Sequence, residues 1–197
     1  MKKEIFSANM KIVALLIIFM CPMQYASAPT KSFEARMDVF RFGIKVSEER
    51  IHLLEFSRFV NDLGRRESGN NWQSVNCIGC FGEWQFAEST VHYLGYKHIT
   101  LKKFMSDPWT FPPELQKKVL ESLIKVNLVL MRRYESYIGD TINGVPITKS
   151  GMIAAAHLGG AKSVKLFLSS NGKLDKADVL GTRVSHYMLK FGFYDLD

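Results

Sequence analysis

The apolar positions of this chain recur mostly at three- and four-residue spacings, which is the period of an amphipathic helix. In the segment 51–63 they are Ile51, Leu54, Phe56, Phe59, Val60 and Leu63. Acidic residues directly after Ser47 favour a helix N-terminus there. The same pattern predicts later helices over 88–93, 114–137, 149–158, 161–169 and about 182–190. Hardly any segment alternates as a strand would, so the sequence predicts a single, mainly α-helical domain.

The predicted helix over 114–137 is apolar around much of its circumference, which indicates a buried central helix. Pro112-Pro113 fits its start, because proline is favoured at the first helical position. Gly139 marks its end, and Asn143-Gly144 predicts a turn. The segment 69–82 is predicted to be a loop.

Glu67 lies where the first predicted helix gives way to a loop rich in Gly and Asn. A carboxyl at such an edge has one side against the core and the other against a cleft. Burial disfavours the ionised form, so an acid there can stay protonated near neutral pH. Cleavage of a glycosidic bond requires a protonated carboxyl that faces a groove. The other interpretation is a solvated charge or an ion pair with Arg65 or Arg66.

The N-terminus has the order of a secretory signal. Its basic, apolar and small residues are Lys2, Lys3 and Lys11, the run 12–20, and Ala26-Ser27-Ala28. We expect 1–28 to be a signal peptide or signal anchor, 29–45 a leader or linker, and 46–197 the folded domain. Cys21 ends the apolar run, so attachment of a lipid to this cysteine is an alternative. The protein is expected to be exported to the periplasm or cell envelope, with membrane contact only if the first segment is retained.

The chain is moderately basic, with a formal net charge of +7. Loss of 1–28 would remove three lysines and one glutamate, which leaves +5. A moderately positive net charge suits an anionic partner such as a wall polymer or a membrane surface. No dense stripe of Lys and Arg alternates with aromatic residues, so we expect no nucleic-acid partner.

Cys77 and Cys80 form a single C-x-x-C pair. A structural zinc ion takes four ligands, and neither a second pair nor a cluster of histidines lies nearby. Outside the cytoplasm, a short-loop disulfide or two packed thiols is expected instead. We expect neither a metal nor another cofactor.

Four short motifs follow one another in the chain. They are Glu67-Ser68, Gly82-Glu83-Trp84-Gln85-Phe86, Ala155-Ala156-His157-Leu158-Gly159-Gly160, and Tyr187. In this order they resemble the motifs of lysozyme-like lytic transglycosylases, which carry a Glu-Ser pair, a Gly-x-x-Gln loop, an Ala-x-Tyr-Asn-like helix and a late Tyr. The resemblance covers about 50–192. It implies a lysozyme-like single helical domain with a loop-rich substrate groove, and makes 46–197 the catalytic domain.

The resemblance implies that Glu67 is the only general acid/base. It would protonate the bridging oxygen of a β-1,4 bond between N-acetylmuramic acid and N-acetylglucosamine. It would then accept a proton from the muramyl C6 hydroxyl, which closes a 1,6-anhydro ring. Hydrolysis usually needs a second carboxylate. Glu83 and Glu88 are near in sequence, but a loop carboxylate is more often solvated.

The companion residues have implied roles toward substrate. Ser68 would hydrogen-bond the sugar or brace the helix end. Gln85 would bind an N-acetyl amide, and Tyr187 would contact the catalytic carboxyl or be structural. Trp84 and Phe86 would stack on sugar faces or belong to the core.

One motif departs from the family pattern, because His157-Leu158 stands where Tyr-Asn is usual. Leu158 cannot supply the amide that family members use on substrate. His157 would replace the Tyr as a polar contact or be a satisfied helix histidine.

The function expected is that of an exported peptidoglycan lytic transglycosylase acting on glycan strands. It would serve wall turnover, or open a local gap in the wall for a partner, a cell-envelope secretion or conjugation machine. Alternatives are a muramidase-type hydrolase of the same bond, a non-catalytic wall-binding protein on the same fold and, more remotely, a thiol-redox protein.

Overall fold

The computed structural model describes residues 30–196. The predicted signal segment 1–28 lies outside the described residues. The chain divides into two compact units, Met1–Glu48 and Glu49–Asp197. In the first unit the described part is helical, with exposed side chains from 41 to 48. The second unit contains the hydrophobic core and every candidate site residue.

The described elements confirm a mainly α-helical protein. They are helix α1 Thr30–Ser68, α2 Glu88–Tyr93, α3 Leu101–Ser106, a 3-10 turn Pro108–Thr110, α4 Pro113–Met131, a 3-10 segment Arg132–Tyr137, strands β1 Thr141–Ile142 and β2 Val145–Pro146, α5 Lys149–Ser169 and α6 Val184–Phe191.

Helix α1 begins at Thr30, well before the start predicted near Ser47. The segment 29–45, expected to be a leader or linker, is therefore largely helical. No proline interrupts 30–68, and Gly43 has open space around it, so nothing local breaks the helix before Gly69. The acidic residues after Ser47 lie inside this helix.

Only the C-terminal part of α1 contributes to the core. Phe59 and Leu63 are fully buried. Ile51 and Leu54, which the periodicity places on the same apolar face, are 49% and 61% exposed. The expectation that they face the core is wrong, because the elements that cover Phe59 and Leu63 leave the preceding turns open.

Helix α4 begins at Pro113, as predicted, and its last turn passes into the 3-10 segment at Arg132. One face is buried, and its residues are Gln116, Val119, Leu120, Ile124, Asn127 and Met131. Val129 is 75% exposed and Leu130 is 46% exposed. The prediction of a buried central helix holds for one face only, because α4 packs mainly on α5 and leaves its opposite side in solvent.

Helix α2 has the predicted bounds, whereas the hydrophobic pattern does not predict α3. This helix is short and depends on side-chain caps. Thr100 Oγ1 accepts a hydrogen bond from Lys103 N at 3.2 Å. Glu88 Oε2 accepts one from Leu101 N at 2.6 Å and so connects α2 to α3.

The chain reverses between α4 and α5 through a small hairpin. Strands β1 and β2 pair antiparallel around Asn143 and Gly144, both of which have positive φ, as a type I′ turn requires. The helices predicted over 149–158 and 161–169 are two arms of α5 that meet at a kink. The kink lies at Gly160, where φ is 73° and ψ is 157°.

Helices α5 and α6 pack closely because of a glycine. A Cβ at Gly151 would lie 2.9 Å from the carbonyl oxygen of Met188. This approach sets the position of α6, which begins at Val184 rather than about Thr182 and carries Tyr187. None of the described helices is long and apolar enough to cross a membrane.

Candidate functional site

Glu67 and Tyr187 meet although 120 residues separate them in sequence. The Tyr187 hydroxyl donates a hydrogen bond to Glu67 Oε1 at 2.6 Å. Glu67 is half-buried at the C-terminal end of α1, and Tyr187 is 3% exposed. The contact predicted between this tyrosine and this carboxyl is present in the structure.

The Tyr187 hydroxyl is kept as a hydrogen-bond donor. Burial raises the pKa of Tyr187 above its ordinary value of 10.0, and the charge and hydrogen bond of Glu67 raise it further. The Arg66 guanidinium lies 6.0 Å from the ring centroid and lowers this pKa. Because the net change is upward, the hydroxyl stays protonated near neutral pH.

Ser68 braces the end of α1. Its hydroxyl donates to the carbonyl of Glu83 at 2.7 Å and accepts from the backbone N–H of Asn71 at 3.0 Å. These bonds fix the helix end to the loop that follows. Of the two roles suggested for Ser68, the structure contains the bracing one.

The loop over 69–86 is anchored on α4 by Gln116, which is fully buried. Gln116 Oε1 accepts from Glu83 N at 2.7 Å, and Nε2 donates to the carbonyls of Trp72 at 2.9 Å and Phe111 at 2.7 Å. A Cβ at Gly82 would lie 2.6 Å from Gln116 Oε1, so glycine is needed there. An amide among the apolar positions of α4 is the signal that could have identified Gln116.

Gln85 is held in a strained conformation, with φ at 49°. A non-glycine residue in this region costs about 1 kcal/mol or more, and such strain clusters at functional sites. Its Nε2 donates to the carbonyl of Gly82 at 2.7 Å and to that of Ser74 at 3.3 Å. Its Oε1 is buried without a partner among the described residues. It is therefore an acceptor that a ligand could satisfy.

His157 offers a second unused acceptor. Its Nε2 lies 2.9 Å from the carbonyl oxygen of Trp84. A carbonyl only accepts, so Nε2 carries a proton, and Nδ1 is then the acceptor of the neutral imidazole. Nδ1 is buried and has no partner within residues 30–196. His157 and Gln85 line the same cleft, whose volume is about 230 Å³.

Asn127 of α4 also lines this cleft, and neither periodicity nor motif identifies it. Its side chain is buried, with 4% of its surface exposed. Leu158 lines the cleft too. The cleft therefore contains an amide on α4 near the place where the motif on α5 lacks one.

Cys80 lines this cleft, and its thiol is partly buried. Burial raises the pKa of the thiol, a hydrogen bond with Asn76 lowers it, and the charge of Glu67 raises it. Cys77 is exposed, and both thiols are free.

Trp84 and Phe86 are core residues, the second of the two interpretations open for them. They are 3% and 2% exposed, and the Trp84 indole N–H donates to the carbonyl of Val60 at 3.0 Å. No ring face of Trp84 is free to stack on a sugar. Phe86 packs edge-on against His157 at 6.0 Å and lines the cleft.

Within the described residues, no group of three or more His, Cys, Asp or Glu side chains could hold a metal ion. Comparison of the chain with protein-family models, with curated proteins and with solved structures finds no match.

Proposed function

We propose that this protein is an exported, peptidoglycan-cleaving enzyme of the lytic-transglycosylase type, with a lysozyme-like helical domain. The observation that carries the proposal is the 2.6 Å hydrogen bond from Tyr187 to Glu67. A buried, protonated phenol that donates to one carboxyl oxygen orients the acid and leaves the other oxygen for a ligand.

The chemistry follows from this arrangement. Tyr187 occupies Oε1 of Glu67. The proton for the bridging oxygen of the glycosidic bond is therefore delivered from Oε2. The bond between the muramyl C1 and this oxygen breaks, and the oxygen leaves as the 4-hydroxyl of N-acetylglucosamine. Glu67 becomes a carboxylate, which the short hydrogen bond stabilises. It then takes the proton of the muramyl C6 hydroxyl, whose oxygen closes on C1 to form the 1,6-anhydro ring. The acid is restored without a water molecule being consumed.

The cleft beside Cys80 supports a saccharide substrate. It is lined by Gln85, His157 and Asn127, whose side chains carry amide and imidazole hydrogen-bonding groups. An N-acetylated sugar has hydroxyl and amide donors and a carbonyl acceptor that match them. Asn127 would replace the amide that Leu158 cannot provide. This is a role for a residue outside the four motifs.

The other nearby carboxyls support a single-acid mechanism. Glu88 is engaged by the backbone of Leu101. A Cβ at Gly64 would lie 2.8 Å from Glu83 Oε1, so the Glu83 side chain covers α1. Burial raises the pKa of Glu83, which disfavours the ionised form that a second catalytic carboxylate requires.

Digestion of purified sacculi tests the proposal. The protein lacking residues 1–28 is incubated with sacculi, and the soluble fragments are identified by mass spectrometry. Fragments with 1,6-anhydro ends, one water lighter than fragments with reducing ends, are expected. Reducing ends would identify a muramidase-type hydrolase. Binding to sacculi without release of fragments would identify a wall-binding protein and contradict the enzyme assignment.

Export and assembly partners belong to the same proposal. An enzyme that acts on the wall must reach the periplasm or envelope, and a secretion or conjugation machine requires a local opening in the wall. Fractionation of cells expressing the full chain tests export. Recovery of the protein only in the cytoplasm would contradict it.

A further inference from the structure

A second cleft is formed by the C-terminal part of α1 and the chain from Lys190 to Tyr194, and it has no part in the chemistry above. Its volume is about 490 Å³. It is lined by Asp62, Arg65, Arg66, Lys190, Phe191, Phe193 and Tyr194. We call it the basic cleft.

The basic cleft contains more cationic side chains than carboxylates. Asp62 is its one carboxylate, and both oxygens are engaged. Oδ1 lies 3.3 Å from Arg65 Nη1, and Oδ2 accepts from the Tyr194 hydroxyl at 2.6 Å. Arg66 is engaged with Tyr187, whose pKa it lowers. Lys190 forms no ion pair with any residue that the structure describes, and Arg65 shares Asp62 with the Tyr194 hydroxyl. Like charges gathered at one place oppose folding, so a ligand of opposite charge is the natural complement.

The walls of the basic cleft are aromatic. Phe193 stacks on Tyr194 with ring centroids 4.2 Å apart, yet it is 58% exposed. Cations beside an exposed ring suit a ligand with a carboxylate and an adjoining apolar part. A small inorganic anion would leave the ring unused.

On both α1 and α6, a residue that lines the basic cleft is close in sequence to one of the candidate catalytic pair, Glu67 and Tyr187. Arg66 directly precedes Glu67 on α1. Lys190 follows Tyr187 by three residues on α6, and such residues lie on the same face of a helix. A ligand bound at Glu67 could therefore place a substituent in the basic cleft.

We propose that the basic cleft binds a carboxylate of the peptide stem that the glycan strand carries. The inference rests on the proposed function, because it assumes that Glu67 acts on peptidoglycan. It assigns Arg65 and Lys190 to recognition of the stem. The enzyme would then favour strands with peptides over bare glycan.

Binding to the Glu67→Gln protein, which should not cleave the ligand, tests this inference. The two probes are the disaccharide-tetrapeptide of the wall and the same disaccharide after an amidase has removed the peptide. Affinities are measured by calorimetry at low salt. The stem-bearing probe is expected to bind about three- to tenfold more tightly, which is the range for two exposed ion pairs. Higher salt should reduce this ratio.

Two charge variants in the same Glu67→Gln background complete the test. Arg65→Gln with Lys190→Gln should bring the ratio close to one. The matched control, Lys118→Gln with Lys125→Gln, removes the same charge from the exposed side of α4 and should keep the ratio.

Equal affinity for both probes, or a ratio that survives Arg65→Gln with Lys190→Gln, would overturn the inference. Inorganic phosphate that binds as tightly as the stem-bearing probe would also overturn it, because the cleft would then be a site for free anions. The proposed function fails by a different result, the release of no fragments from sacculi by the unmodified protein. The binding comparison uses a variant that is not expected to cleave, so its result does not depend on whether the unmodified protein releases fragments.

Discussion

Replacing Tyr187 by Phe removes one hydroxyl and keeps the ring. The ring would still pack against Phe191, whose centroid is 5.4 Å away. What is lost is the 2.6 Å hydrogen bond to Glu67. A hydrogen bond to a charged group contributes about 1.5–3 kcal/mol. The bond matters most when Glu67 is a carboxylate, after its proton has left.

A loss of about 2 kcal/mol from the transition state corresponds to a fall in kcat of roughly 30-fold. Some activity should remain, because Glu67 itself is unchanged. The assay is the initial rate of fragment release from sacculi at saturating substrate, with the melting temperature measured on the same preparations. The change in stability should be modest, on the order of 1 kcal/mol.

Tyr194→Phe is the matched control. It removes a phenol-to-carboxylate hydrogen bond of the same length, 2.6 Å to Asp62, outside the candidate catalytic pair. Its stability loss should be similar. Because Tyr194 lines the basic cleft, any change in substrate binding should raise KM, with kcat at saturating substrate nearly unchanged. An unchanged kcat in Tyr187→Phe would make that tyrosine structural. An equal fall in kcat in both variants would refute the assignment of a specific role.

Three further substitutions test the surrounding structure. Gln116→Leu leaves the buried N–H of Glu83 and two carbonyls without partners and should cost about 2–4 kcal/mol in urea unfolding. Gly151→Ala places a Cβ 2.9 Å from the Met188 carbonyl oxygen and should cost about 1–3 kcal/mol. By moving α6 it should also slow cleavage. At low pH the free energy of unfolding of Glu83→Gln should not exceed that of the native protein. As the pH rises, the variant should become more stable relative to the native protein. Glu135→Gln, on an exposed residue, is its control.

The pH dependence follows from the direction of the shift. Burial raises the pKa of Glu83 above its ordinary value of 4.5, so folding favours the neutral acid. The stability that native Glu83 contributes is present below that value and is lost as the pH rises through the folded pKa. A gain in Glu83→Gln that did not grow between about pH 4 and 7 would contradict this reasoning. Unchanged stability in Gln116→Leu or Gly151→Ala would contradict the packing described for them.

Periodicity predicted the helical class and the bounds of α2 because these depend on local pattern. It could not predict that α1 extends back to Thr30 with Ile51 and Leu54 exposed. Exposure depends on which elements cover a helix face, and that is a property of the whole fold. For the same reason, Val129 looks like a core residue in sequence and lies in solvent.

The motif order led to the Glu67–Tyr187 contact but not to the groups around it. Ser68 and Trp84 belong to the motifs, yet their side chains form hydrogen bonds within the protein. Gln116 and Asn127 sit on α4, outside every motif, and reach the loop and the cleft only after folding. Sequence order identifies a residue type, whereas tertiary packing decides whether its polar atoms remain available.

The measurement that tests the central claim most directly is release of soluble fragments from sacculi by Glu67→Gln. The amide keeps the shape and can still accept from Tyr187, but it has no proton to transfer. We predict that the variant folds, binds sacculi and releases no fragments, while Glu83→Gln still releases them. Release by Glu67→Gln at the native rate would contradict the assignment of Glu67 as the acid.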